Sequence, residues 1–104
     1  MIKVSVMYPN APGARFDFEY YRTKHLPMVA GILGQRCKSY AIDRGLGGGG
    51  PGAPAPYIAM CHLSCESVEQ FLAAVSPREH EILADIANFT DQRPVMQISD
   101  VVDP

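Results

Sequence analysis

Three histidines, five tyrosines, three cysteines and eleven carboxylates hold most of the groups in this chain that can move a proton, bind a metal or attack carbon. His25 leads them. Phe18, Tyr21, His25, Met28, Val29 and Ile32 recur at three-and-four spacing, so they share one face of a helix and turn the imidazole inward beside Tyr21. An imidazole with a pKa near ~6.5 exchanges protons around neutrality, which suits a general acid or base. Tyr21, one turn earlier, places a phenol where it can donate to a developing oxyanion or enolate. The same pattern also fits a core histidine bonding a freed backbone carbonyl and an amphipathic core tyrosine. Tyr20, roughly 100° around the helix from Tyr21, is the weaker phenol.

His62 alternates with Ile58 and Met60 along an extended segment, on a face where it can bind substrate or pair with a carboxylate. His80 sits among Arg78, Glu79 and Glu81 and reads as solvated. The histidines lack zinc spacing, and neither Cys-x-x-Cys nor His-Glu-x-x-His occurs, so no metal site or bound cofactor is expected. Cys61 and Cys65 would stand about 13 Å apart on a strand, beyond disulfide reach, and the cysteines read as reduced thiols. Asp91 and Asp100 read as surface or turn carboxylates, with no partner for His25 evident in either.

These groups must be held by a small scaffold. Ile2 to Tyr8 alternates with period two and reads as a first strand, stopped by Pro9-Asn10-Ala11-Pro12-Gly13. Asp17 is a candidate N-cap for the helix that follows. Pro27 predicts a break or kink near His25 to Leu26, pushing Leu26 out of helical geometry, before a short second helix ends at Gly34. Cys37 to Leu46 reads as a second strand and Tyr57 to Cys65 as a third. The Gly- and Pro-rich segment 45–56 between them reads as a long loop, either a plain hairpin connection or a flap over a pocket; it has no phosphate-cradle pattern. Ser67 and Gln70 predict a capped helix with Val68, Phe71, Leu72 and Val75 inward. Ser76, Pro77 and Glu79 predict a second cap and a short helix to Asp85, and Val95 to Val102 closes the chain as a strand.

The order strand, helix, strand, strand, helix, strand predicts a single α+β domain over residues 1–104, a ferredoxin-like βαββαβ unit with a four-stranded antiparallel sheet. On the third strand neither Tyr57, Ala59, Cys61, Leu63 nor Ile58, Met60, His62, Ser64 makes a solvated face. A second copy of the same sheet is the simplest cover, so a homodimer enclosing a small, mostly apolar pocket between its sheets is expected. With 104 residues there is room for one core. A net charge of -2 gives no reason to approach nucleic acid or anionic lipid. No run of eighteen apolar residues and no signal-peptide pattern is present, so neither membrane insertion nor export is expected and the default location is cytoplasmic.

The stretch Phe16-Asp17-Phe18-Glu19-Tyr20-Tyr21-Arg22-Thr23-Lys24-His25-Leu26-Pro27-Met28, shortly after a strand ending in Tyr8-Pro9, resembles the signature of the EthD family, named for ethyl tert-butyl ether degradation. Gly45-Leu46-Gly47-Gly48, Pro51 to Tyr57, His62-Leu63, Ser67-Val68-Glu69, Asn88-Phe89-Thr90-Asp91 and Pro94 to Ser99 extend the resemblance over nearly the whole chain. It implies a dimeric α+β barrel, a superfamily that includes small monooxygenases acting without metal or flavin, polyketide cyclases, muconolactone isomerases and haem-handling enzymes. A fold and a pocket follow from it, and a substrate does not.

The leading expectation is an auxiliary catabolic or biosynthetic enzyme that binds a small, largely apolar organic molecule and transfers a proton or assists oxygenation without a bound cofactor. His25, Tyr21 and His62 are its candidate catalytic residues. A non-catalytic carrier of an apolar metabolite and a haem-handling protein are the alternatives.

Overall fold

The computed structural model describes residues 1–103. Strand β1 (Ile2–Pro9) leads through a turn to α1 (Phe18–Tyr20), a π-helical turn (Tyr21–His25) and α2 (Leu26–Leu33). Strands β2 (Cys37–Arg44) and β3 (Tyr57–Cys65) follow, then α3 (Val68–Val75), α4 (Glu79–Asp85) and β4 (Val95–Asp100). The sheet is antiparallel with strand order β2-β3-β1-β4, which is the ferredoxin-like arrangement expected.

The period-two pattern fixes which residues meet the helices. Val4 opposes Leu63 and Val6 opposes Cys61, so Ile2, Val4, Val6 and Tyr8 share one face with Ala59, Cys61, Leu63 and Cys65. Tyr21, Leu26, Val29, Leu33 and Phe71 close over that face to form the core. Phe71 shows how the helix is held: Ser67 accepts the Gln70 N–H as N-cap, and the Phe71 ring, one turn on, sinks into the core.

The first helix departs from expectation. Residues 18–33 form one continuous helix, and Leu26, at φ -63° and ψ -40°, stays in the right-handed helical region despite preceding Pro27. A break is avoided because the backbone widens to a π turn, in which the Leu26 N–H reaches the Tyr21 carbonyl five residues back. That widening makes room for the proline ring and its missing donor, and such turns concentrate at functional sites. Asp17 caps the start by accepting the Tyr20 N–H, and Gly34, at φ 58°, ends the helix in a conformation that disfavours a side chain.

Ser76 does not cap α4: residues Ser76–Arg78 make a 3-10 turn, and no side chain caps the helix that follows. A hydroxyl followed by proline is here used as a joint, not a helix start. Residues 45–56 do form a hairpin connection, pinned to the end of β1 by Asn10, whose backbone N–H donates to the Pro56 carbonyl and whose side chain donates to that of Ala55. A side chain at Gly45 would collide with the Tyr57 carbonyl, so only glycine fits the loop's first residue. All three cysteines are free, with Cys37 standing opposite Cys65 on the neighbouring strand. Among the described residues no helix is long and apolar enough to cross a membrane.

Candidate functional site

His25 ends the π turn and is 4 % exposed, with its ring against Phe89 and parallel to that of Tyr21. Its Nδ1 lies 2.8 Å from Oδ2 of Asp85, the last residue of α4. The other carboxylate oxygen, Oδ1, accepts the Tyr20 hydroxyl at 2.7 Å and the Asn88 amide at 2.9 Å. Two donors on one oxygen leave the second facing the imidazole.

The chain brings these groups together through a clamp between its two halves. Phe16 bridges to Thr90, Thr90 Oγ1 donates to the Arg15 carbonyl, and the Asp17 N–H donates to the Phe89 carbonyl at 2.7 Å. Tyr8, Phe16, Tyr21 and Phe89 interlock edge-on around that seam, each pair adding about 0.5–1.5 kcal/mol beyond its burial. The start of the first helix is thereby fixed against the end of α4.

Electrostatics set the proton inventory. Burial pushes the His25 imidazolium pKa down, and the bond to Asp85 opposes this without reversing it, so the ring is neutral at pH 7. Burial raises the Asp85 carboxyl, but donation from Tyr20, Asn88 and His25 outweighs it and holds the pKa below the usual carboxylate value. An ionised Asp85 can only accept, so Nδ1 carries the imidazole proton and Nε2 is left as the basic nitrogen.

His25 lines a cavity of about 300 Å³ between the sheet and the helices. Its walls are mainly Val6, Val29, Leu63, Phe71, Val75 and Ile82, and its polar groups include Tyr8, Tyr21, Cys61, Ser76 and Glu79. Burial drives the Tyr8 and Tyr21 phenols far above their ordinary pKa, so they stay protonated. Burial likewise keeps Cys61 a thiol.

Within this chain the cavity lies between sheet and helices, on the face opposite the one expected to meet a second copy. The helices cover one side of the sheet but leave a gap between α4 and β4, with Leu83 54 % and Met96 55 % exposed beside the cavity. His25 and Tyr21 meet in this cavity, and His62 does not join them. The pleat turns His62 to the opposite sheet face, where Ser5 Oγ lies 2.8 Å from its Nδ1 and Asp43 Oδ2 lies 3.1 Å from its Nε2. Residues 45–56 line no part of this cavity. His80 is exposed, Asp91 accepts the Arg15 N–H, and Asp100 pairs opposite Ile2; none is the partner of His25.

Asp85 and Asn88 are the site residues that pattern reading passes over, and Tyr20, ranked there below Tyr21, is the phenol that bonds Asp85. One signal was available: a carboxylate in the last turn of a helix opposes the helix dipole and so calls for a partner elsewhere. Among the described residues no cluster of His, Cys, Asp and Glu is arranged to hold a metal ion.

Comparison with known proteins gives a consistent picture. The model of the EthD domain matches residues 14–93, which contain His25, Asp85 and the clamp between them. An EthD-like protein of Ralstonia eutropha JMP134 is 52 % identical, superposes with a TM-score of 0.93, and aligns over 98 % of this chain and 92 % of its own. An ethyl tert-butyl ether degradation (EthD) family protein of Bacillus halodurans C-125 shares the fold at 16 % identity and a TM-score of 0.65, over 96 % of this chain and 97 % of that one. HapK of Hahella chejuensis does so at 13 % and 0.54, over 98 % and 95 %. No functionally curated protein matches the chain. A domain match over residues 14–93 and a close relative spanning almost the whole sequence establish that the chain belongs to the EthD family.

Proposed function

We propose that this protein is an enzyme that binds a small, largely apolar organic molecule between its sheet and helices and removes a proton from it with His25. The observation that carries this reading is the 2.8 Å His25–Asp85 contact at the wall of an apolar cavity. A neutral imidazole whose Nδ1–H is anchored by an ionised carboxylate offers Nε2 as a base, and a mainly apolar surrounding strengthens the polar interactions it makes. A carrier needs the cavity and has no use for a base oriented by a carboxylate that two further donors hold in place.

We further propose that it works as a homodimer in the cytoplasm, its sheets packed through the faces turned away from the helices. Met7, Ile58, Met60 and Val95 on that face support this, since a lone chain leaves them partly or wholly wet.

The site is tested by two-dimensional NMR of the labelled protein titrated with a panel of small apolar compounds. Saturable shifts at Val29, Leu63, Phe71 and the His25 ring, lost in Leu83→Trp, are expected. Shifts that gather on the His62 face, or that leave His25 unmoved when a ligand fills the cavity, would overturn the reading.

A further inference from the structure

We infer that the substrate is a neutral ketone with an acidic C–H beside its carbonyl, a conclusion that rests on His25 being the base and deepens it. Charge decides the first part. The cavity lining holds no Lys or Arg, while it does hold Glu79, and Asp85 stands directly behind His25. A carboxylate or phosphate entering there would be desolvated with no cation to meet it and with two like charges nearby. A neutral molecule meets no such obstacle.

The remaining polar groups select the ketone. Tyr8 and Tyr21, kept protonated, are hydrogen-bond donors in the wall that also carries His25, and the His25 and Tyr21 rings lie 5.4 Å apart and nearly parallel. A carbonyl oxygen received by Tyr21 places the adjacent carbon within the same chamber as Nε2. The step then balances without any further reactant: the C–H bond breaks, its proton passes to Nε2, and its electron pair moves through the new C=C to leave an enolate oxygen. The Tyr21 O–H donates to that oxygen, and His25 returns a proton to the carbon that shares the charge with it. A cavity of about 300 Å³ stands at the small end of ligand sites, which suits one or two rings.

The experiment follows deuterium uptake by proton NMR in D2O, comparing 2-tetralone, a neutral enolisable ketone, with phenylpyruvate, an anionic one. The protein should accelerate exchange at the benzylic carbon of 2-tetralone and leave phenylpyruvate at its background rate. Tyr21→Phe, with its fold checked by its spectrum, should lower the 2-tetralone rate on the order of a hundredfold, the effect of losing one oxyanion donor. Tyr8→Phe serves as the second variant should Tyr21→Phe fold poorly, and is expected to lower the rate by a smaller factor. Phenylpyruvate exchanged as fast as 2-tetralone would overturn the neutral class and leave the base intact. Exchange indifferent to both phenols, or absent for 2-tetralone, would overturn the inference. Exchange that survives His25→Gln would instead refute the base on which it rests.

Discussion

Replacing Asp85 by Asn removes one charge and changes almost no volume, so it isolates what the carboxylate does. Tyr20 and Asn88 both donate to Oδ1, and an Asn carbonyl placed there keeps both bonds. Its amide then faces His25 Nδ1 as a donor, and the imidazole must accept, moving its proton to Nε2. A charge-assisted bond, worth roughly 1.5–3 kcal/mol, is exchanged for a neutral one of about 1 kcal/mol. Asp85 is 19 % exposed, which places the loss at the lower end, about 1 kcal/mol, or a Tm lower by about 4–8 °C for a domain of this size. The chemical loss should be far larger. With Nε2 protonated the base is gone, and the comparable tautomer reversal in a Ser-His-Asp triad costs about 10⁴-fold. Deuterium exchange into 2-tetralone, calorimetry and the nitrogen shifts of His25 measure the three effects on one preparation. A variant that keeps the Nδ1–H tautomer, or exchanges within a few-fold of the parent, would refute the reasoning.

Stability should fall on the acid side. Because the folded His25 pKa is below its ordinary value, the ring is neutral in both states above about pH 6.5 and contributes nothing there; below that, the unfolded chain takes a proton that the fold resists. Asp85 adds stability above its unfolded pKa, lost as pH drops through its lower folded value. Urea midpoints from pH 8 to 4 should therefore decline below about 6.5, less steeply in His25→Gln; equal slopes would contradict the assignment. Phe71→Ala should cost about 3–5 kcal/mol by urea denaturation, since this ring is buried at the cavity wall, and a loss below 1 kcal/mol would show that the wall is loose. Met60→Glu places charge on the outer sheet face and should give monomers by light scattering where the parent gives dimers. His62→Ala should leave exchange into 2-tetralone unchanged, because the sheet separates it from the cavity, and a loss beyond tenfold would place it in the chemistry.

Much of the scaffold could be read from local pattern. Asp17 and Ser67 cap where their type and position indicate, and alternation placed Cys61 and His62 on opposite faces. The helical spacing of Tyr21 and His25 rightly turned both inward. What escaped depends on contacts far apart in the chain or on backbone adjustments without a residue signature. Asp85 lies 60 residues beyond His25, and no periodicity links them. Pro27 signals a lost hydrogen bond, yet whether the chain breaks or widens into a π turn is decided by the packing of Leu26 and Val29 into the core. The cavity's place among the helices follows from how α4 seats, which its own sequence does not reveal.

The central claim is a neutral, oriented imidazole, and a ¹⁵N NMR titration of the His25 ring from pH 8 to pH 4 tests it most directly. The Nδ1–H tautomer at pH 7 with a midpoint below 6.5 is the outcome expected from its burial against Asp85. An Nε2–H tautomer, or an imidazolium persisting above pH 7, would contradict it.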